Sequence, residues 1–208
     1  MTTKEQFLAR VSDRLRDGIP ENHIRPIHPV SNDRIAYTID TSDPLELFRG
    51  MATALGSEVV ETDRNGVADL IRVTAAGGRV ALTQEEAWGS LQLEGIDIAP
   101  DLDPTTLSDC AVGVSNVRAA IALTGSIVID STVPGARVVS LLPKAHLAVV
   151  RRDQIVPTPG DVIRQLGESG APLPSNLVFI TGPSRSADIE LQLTIGVHGP
   201  SRLVIALI

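Results

Sequence analysis

The chain has 208 residues and a formal net charge of −7, long enough to bury a core and suited to one α/β domain with a short N-terminal appendage. With Phe 3, Tyr 1 and Trp 1, that core has to be built from Val, Ile, Leu and Ala. An acidic, aromatic-poor chain lacks both phosphate-neutralising charge and stacking surface, which argues against nucleic acid as a partner.

Residues 4–17 read as a helix, with Phe7, Val11 and Leu15 on one face, Leu8 beside them and charges elsewhere. The N-terminus MTTKEQFLARVSDRLRD has no apolar signal-peptide core. No stretch approaches the roughly eighteen uninterrupted apolar residues of a membrane span. A cytoplasmic chain without membrane insertion is expected. Pro20, Pro26 and Pro29 make 18–30 an extended connector, so the expected division is 1–30, helix and connector, and 31–208, the α/β domain.

Beyond the connector, strands and helices alternate. Strands are expected at 34–40, 57–62, 79–83, 110–116, 126–131, 144–150, 176–181 and 202–208. Helices are expected at 43–55, 66–78, 84–92, 160–169 and 186–197, with a short one within VRAAIALTG, 117–125. Several strands are apolar throughout, the mark of a mostly parallel sheet covered on both faces.

Near the C-terminus the chain reads FITGPSRSADIELQLTIGVHGP, 179–200. Gly182, Ser184 and Arg185 follow a strand end, where open α/β sheets bind ligands, and the turn would open a helix whose free N–H groups favour an anion. Asp188 and Glu190 would lie in that helix's first turns, and His198 at its C-terminus. The same residues also describe a well-capped helix entry. Thr124, Gly125 and Ser126 form a second small, hydroxyl-bearing turn, expected to meet the first at one end of the sheet and line one pocket with it, unless it is only a tight connection. Arg137 is either a solvated loop residue or an anion ligand. His146, inside an alternating strand, reads as a core histidine. The four histidines and the single Cys110 show no metal-ligand spacing, and one thiol cannot hold an iron–sulfur cluster. Dinucleotide, Walker and nucleophile-elbow motifs are absent.

FITGPSRSADIELQLTIGVHGP, preceded in order by AIALTGS (120–126), ARVVSLLPKAHLAVV (136–150) and IVPT (155–158), resembles the lactate-utilization C family, the LUD domain of the LutC/YkgG type. The resemblance implies a three-layer α/β fold similar to NagB/RpiA/CoA transferases. It also implies a part in oxidising L-lactate to pyruvate beside iron–sulfur partner proteins. Leu123 stands where such proteins often carry a glutamate, which weakens acid–base catalysis at that turn.

Two functions follow. The first is a ligand- or partner-binding subunit of a lactate-oxidising system, with no cofactor in this chain, iron–sulfur clusters in its partners only, and a small anionic ligand. The second is a stand-alone enzyme of the same superfold acting on a phosphorylated sugar, an acyl-CoA or a folate. No catalytic residue set is identified, and self-association is left open.

Overall fold

The computed structural model describes residues 3–16, 40–187, 193–196 and 199–208. The chain divides into two compact units, Met1–Thr38 and Ile39–Ile208. In the first, helix α1 spans Lys4–Arg16, and Phe7 and Leu8 on it are exposed. The side chains of Val11 and Leu15 lie outside what is described, as does nearly all of the expected strand 34–40.

The second unit is built on a five-stranded, wholly parallel sheet. Its strands are β1 (Glu58–Glu61), β2 (Val80–Leu82), β3 (Val112–Asn116), β6 (Ala145–Val150) and β11 (Arg202–Leu207), in the order β1-β11-β6-β3-β2. The central strands read AHLAVV and RLVIAL, and every residue but Arg202 is buried. Continuous apolar runs suit strands covered on both faces. Helix α3 (Gly66–Ala75) covers one face through Val67, Ile71 and Ala75, against Val112, Leu147 and Val204. Helix α2 (Pro44–Ala54) lies on the other, with Phe48 and Ala52 packed into the cluster that holds Ala148, Leu203 and Ile205. It starts where Asp43 accepts a hydrogen bond from the Glu46 N–H at 3.0 Å, with Pro44 in the first turn.

A second, four-stranded sheet shares that face through Ile127 and Ile129. It contains β4 (Ala119–Ile121), β5 (Ser126–Asp130), β7 (Ile155–Val156) and β8 (Leu177–Ile180), in the order β7-β4-β5-β8. β5 is antiparallel to both of its neighbours. Helix α6 (Pro159–Glu168) packs Val162 and Leu166 on its outer face. Two short helices, α4 (Pro104–Ser108) and α5 (Ala136–Leu141), lie in stretches expected to be irregular. At Gly113 a Cβ would lie 1.9 Å from the Val139 carbonyl oxygen, so glycine lets α5 sit flush on β3.

Among the described residues β1 is the outermost strand of its sheet, and both of its glutamates are paired. Glu58 takes two hydrogen bonds of 2.9 Å from Arg202, which hold its carboxyl below the usual range. Glu61 accepts from Arg49 at 3.0 Å and from Arg152 at 2.9 Å.

Three expectations need correction. The helix expected at 186–197 is not seen among the described residues of that range: β9 (Arg185–Ala187) and β10 (Leu193–Ile195) form an antiparallel pair instead. The segment DIELQLTI alternates polar and apolar residues strictly, a period of two that belongs to a strand. The stretch 117–125 holds β4 followed by a 3₁₀ turn at Ala122–Thr124. The helix expected at 84–92 is a 3₁₀ turn at Glu86–Ser90.

Candidate functional site

Parallel strands deliver the residues that follow them to one edge of the sheet, and ligands of open α/β sheets sit there. Here that edge holds a cleft of about 260 Å³ lined by Arg64, Glu85, Trp88, Asn116, Arg151 and Gln154, among others. Arg64 follows β1, Glu85 follows β2, Asn116 ends β3, and Arg151 follows β6. Glu85 is held from both sides: Thr83 Oγ1 donates to its Oε1 and Asn116 Nδ2 to its Oε2, each at 2.6 Å. The Trp88 indole donates to the Thr83 carbonyl at 2.8 Å and closes the floor. Gln154 donates to the Val117 carbonyl at 2.6 Å. Arg64 bonds Ser90 Oγ, and Arg151 pairs with Asp153 at 3.0 Å.

A smaller hollow of about 100 Å³ shares Glu85, Asn116 and Val117 with the cleft and adds Arg118 and Asp130. The Asp130 carboxylate is 3 % exposed and accepts from Arg118 at 2.9 Å and from the Thr132 N–H at 2.9 Å. Two guanidinium groups, a fixed carboxylate and an amide thus converge on one space. Guanidinium forks match carboxylates and phosphates, and Glu85 can accept from a hydroxyl. The sequence reading names none of these residues. The signal was their position, since the strand-end rule that pointed to Gly182–Arg185 applies again after β1, β2, β3 and β6.

The turn at Thr124–Ser126 reaches Thr181, the residue just before the turn at Gly182–Arg185. Ser126 Oγ lies 2.7 Å from Thr181 Oγ1 and 2.8 Å from Thr124 Oγ1, at one end of the four-stranded sheet. What surrounds them differs. Gly125 has φ +59°, and a Cβ there would lie 2.4 Å from the Ala52 amide nitrogen, so α2 packs directly on this turn. Gly182 has φ +77°, and a Cβ there would lie 2.6 Å from the Leu55 carbonyl oxygen. Arg185 is exposed and donates to that same oxygen at 2.6 Å, capping the end of α2. Arg137 is exposed in the first turn of α5 and lines a separate surface hollow. Asp188, Glu190 and His198 lie outside the described residues.

Gly182 and Ser184 do line a cavity of about 220 Å³ between the two sheets, together with His146, Ser140 and Phe179. Thr124, Gly125 and Ser126 are not part of its wall. His146 is 1 % exposed, and burial, which disfavours the charged ring, pushes its pKa down to about 4. Its Nε2 lies 2.9 Å from Ser115 Oγ. Its Nδ1 has no hydrogen-bond partner among the described residues.

The LUD domain family model matches residues 104–208. The chain is also 30% identical over 225 residues to lactate utilization protein C of an Exiguobacterium species, covering 100% of this chain and 96% of that one. The chain belongs to the LUD domain family. Lactate utilization protein C of Bacillus subtilis is 30% identical over 234 residues, covering 99% of this chain and 95% of that protein. A crystal structure of a DUF162 family protein from Deinococcus radiodurans shares the fold, with a TM-score of 0.60, 24% identity and coverage of 81% of this chain and 98% of that one. The LUD match takes in Asn116, Arg151 and Gln154 of the cleft, Arg118 and Asp130 of the hollow beside it, and the described wall of the inter-sheet cavity, whereas Arg64, Glu85 and Trp88 precede it. Within this LUD domain, Leu123 is partly buried against Val162 and Leu166, so the side chain found there contributes to packing.

Proposed function

We propose that this chain is a subunit of a system that oxidises L-lactate to pyruvate, holding the hydroxy acid or its oxo product while partner proteins carry the electrons. The observation that carries this reading is the full-length similarity to lactate utilization protein C. Lactate gives up two electrons and two protons to become pyruvate, so an acceptor is required, and iron–sulfur proteins are the proposed one. Cys110 is the chain's one thiol; it is buried beside Leu107 and Val139, and burial raises its pKa, so it is placed for packing. The cleft at the strand ends supports a 2-hydroxy acid as ligand. Its carboxylate would lie between Arg64 and Arg151, and its hydroxyl would face Glu85 and Asn116.

The experiment is calorimetric titration of L-lactate, pyruvate and a sugar phosphate into the full chain and into Arg151→Ala, with co-purification from cells grown on lactate. The expected result is binding of lactate or pyruvate that weakens about ten-fold in the variant, and recovery of iron–sulfur proteins. Turnover of a sugar phosphate by the isolated chain would replace this reading with that of a stand-alone enzyme.

A further inference from the structure

The inter-sheet cavity is a different environment from the cleft. His146 is the second residue of β6 and Arg151 follows its last, so the two spaces lie about 15 Å apart along one strand. Leu141, Val178, Ile180 and Leu203 contribute apolar walls, and among the described residues that line it none is a Lys, Arg, Asp or Glu. Polar groups are few: Ser140, Ser184 and the imidazole of His146. A buried ring nitrogen without a partner is costly, and native proteins seldom leave one so. The ring is fixed by Ser115, which is itself fully buried, so the orphan Nδ1 is held in one direction. The wall segment at Ser184 is held by the backbone: the Ser184 N–H donates to the Pro200 carbonyl, and the Gly196 N–H to the Ser184 carbonyl, each at 2.9 Å.

We infer that this cavity binds a small uncharged molecule, largely apolar, whose one hydroxyl or carbonyl group completes the hydrogen bonding of His146. A volume of about 220 Å³ lies below the roughly 300–1,000 Å³ of sites for drug-sized ligands, so the ligand is a single ring or a short branched chain. A carboxylate or phosphate would meet no Lys or Arg among the described wall residues, so an uncharged ligand suits this space better than lactate does. This site is independent of the cleft and of the function assigned to it.

The test uses the full chain with nitrogen-15 histidine, the His146 signals being assigned from His146→Leu. Phenol, cyclohexanone, toluene and benzoate are titrated in turn. The expected result is a saturable shift of Nδ1 with phenol if the nitrogen accepts, or with cyclohexanone if it donates. Toluene should bind about ten-fold more weakly than the better of the two, and benzoate should not bind. Ser184→Leu, which adds bulk to the wall and keeps the imidazole, should abolish the shift. The inference is overturned if neither polar probe moves Nδ1, the result expected of a nitrogen satisfied by water alone. It is equally overturned if toluene or benzoate binds as well as phenol or cyclohexanone, or if Ser184→Leu binds like the parent.

Discussion

The Arg185 guanidinium donates to the carbonyl oxygen of Leu55 at 2.6 Å, so a residue from the C-terminal signature caps a helix some 130 positions earlier. A helix C-terminus leaves carbonyl groups without intrahelical partners and carries partial negative charge, and an arginine satisfies both. Arg185→Ala is therefore expected to cost about 1 kcal/mol and to lower Tm by about 2–4 °C. Thermal unfolding followed by circular dichroism checks this. If melting is unchanged while an anionic ligand is lost, Arg185 belongs to a binding site instead.

Gly125→Ala should destabilise more. The backbone at Gly125 is left-handed, and the new methyl group would press on the Ala52 amide. Strain and displacement of α2 together should cost about 2–4 kcal/mol. Urea unfolding measures it, with Gly77→Ala as the control for left-handed strain alone, because open space surrounds the position of its Cβ.

His146 makes stability depend on pH. Burial lowers its folded pKa from 6.5 to about 4, so between these values the unfolded chain takes up a proton that the folded chain refuses. Its contribution to stability should be fully present above pH 6.5, fall as pH drops toward about 4, and level off below that. The whole change should be about 3 kcal/mol. Urea midpoints measured across this range for the parent and for His146→Leu decide it, since the variant should lack this component of the slope. Parallel profiles would mean that the imidazole titrates normally in the folded chain.

The parallel sheet was legible because β6 and β11 are written as unbroken apolar runs, a pattern that needs no knowledge of neighbours. The C-terminal hairpin was not, because two signals compete there. SRSADIE carries the hydroxyls and acids of a helix start, while DIELQLTI alternates with a strand's period, and the alternation prevails. β4 is only Ala119–Ile121, too short for any period to show. The cleft was hidden for another reason. Arg64, Glu85 and Arg151 come from three separate loops and Asn116 from the end of β3, and only the strand order β1-β11-β6-β3-β2 makes them neighbours. Gly182 and Ser184 were found at a cavity by the strand-end rule, although β8 belongs to the mixed four-stranded sheet and runs antiparallel to β5.

The paired glutamates of β1 matter beyond the ion pairs they form. An outermost strand offers unpaired N–H and C=O groups, an invitation to sheet growth from one molecule into the next. A second copy approaching along β1 would have to strip water from Glu58, Glu61 and the arginines that hold them. Because Arg202 keeps the Glu58 carboxyl ionised below the usual carboxylate range, this guard against aggregation persists into acid, where glutamates without such a partner have begun to lose their charge.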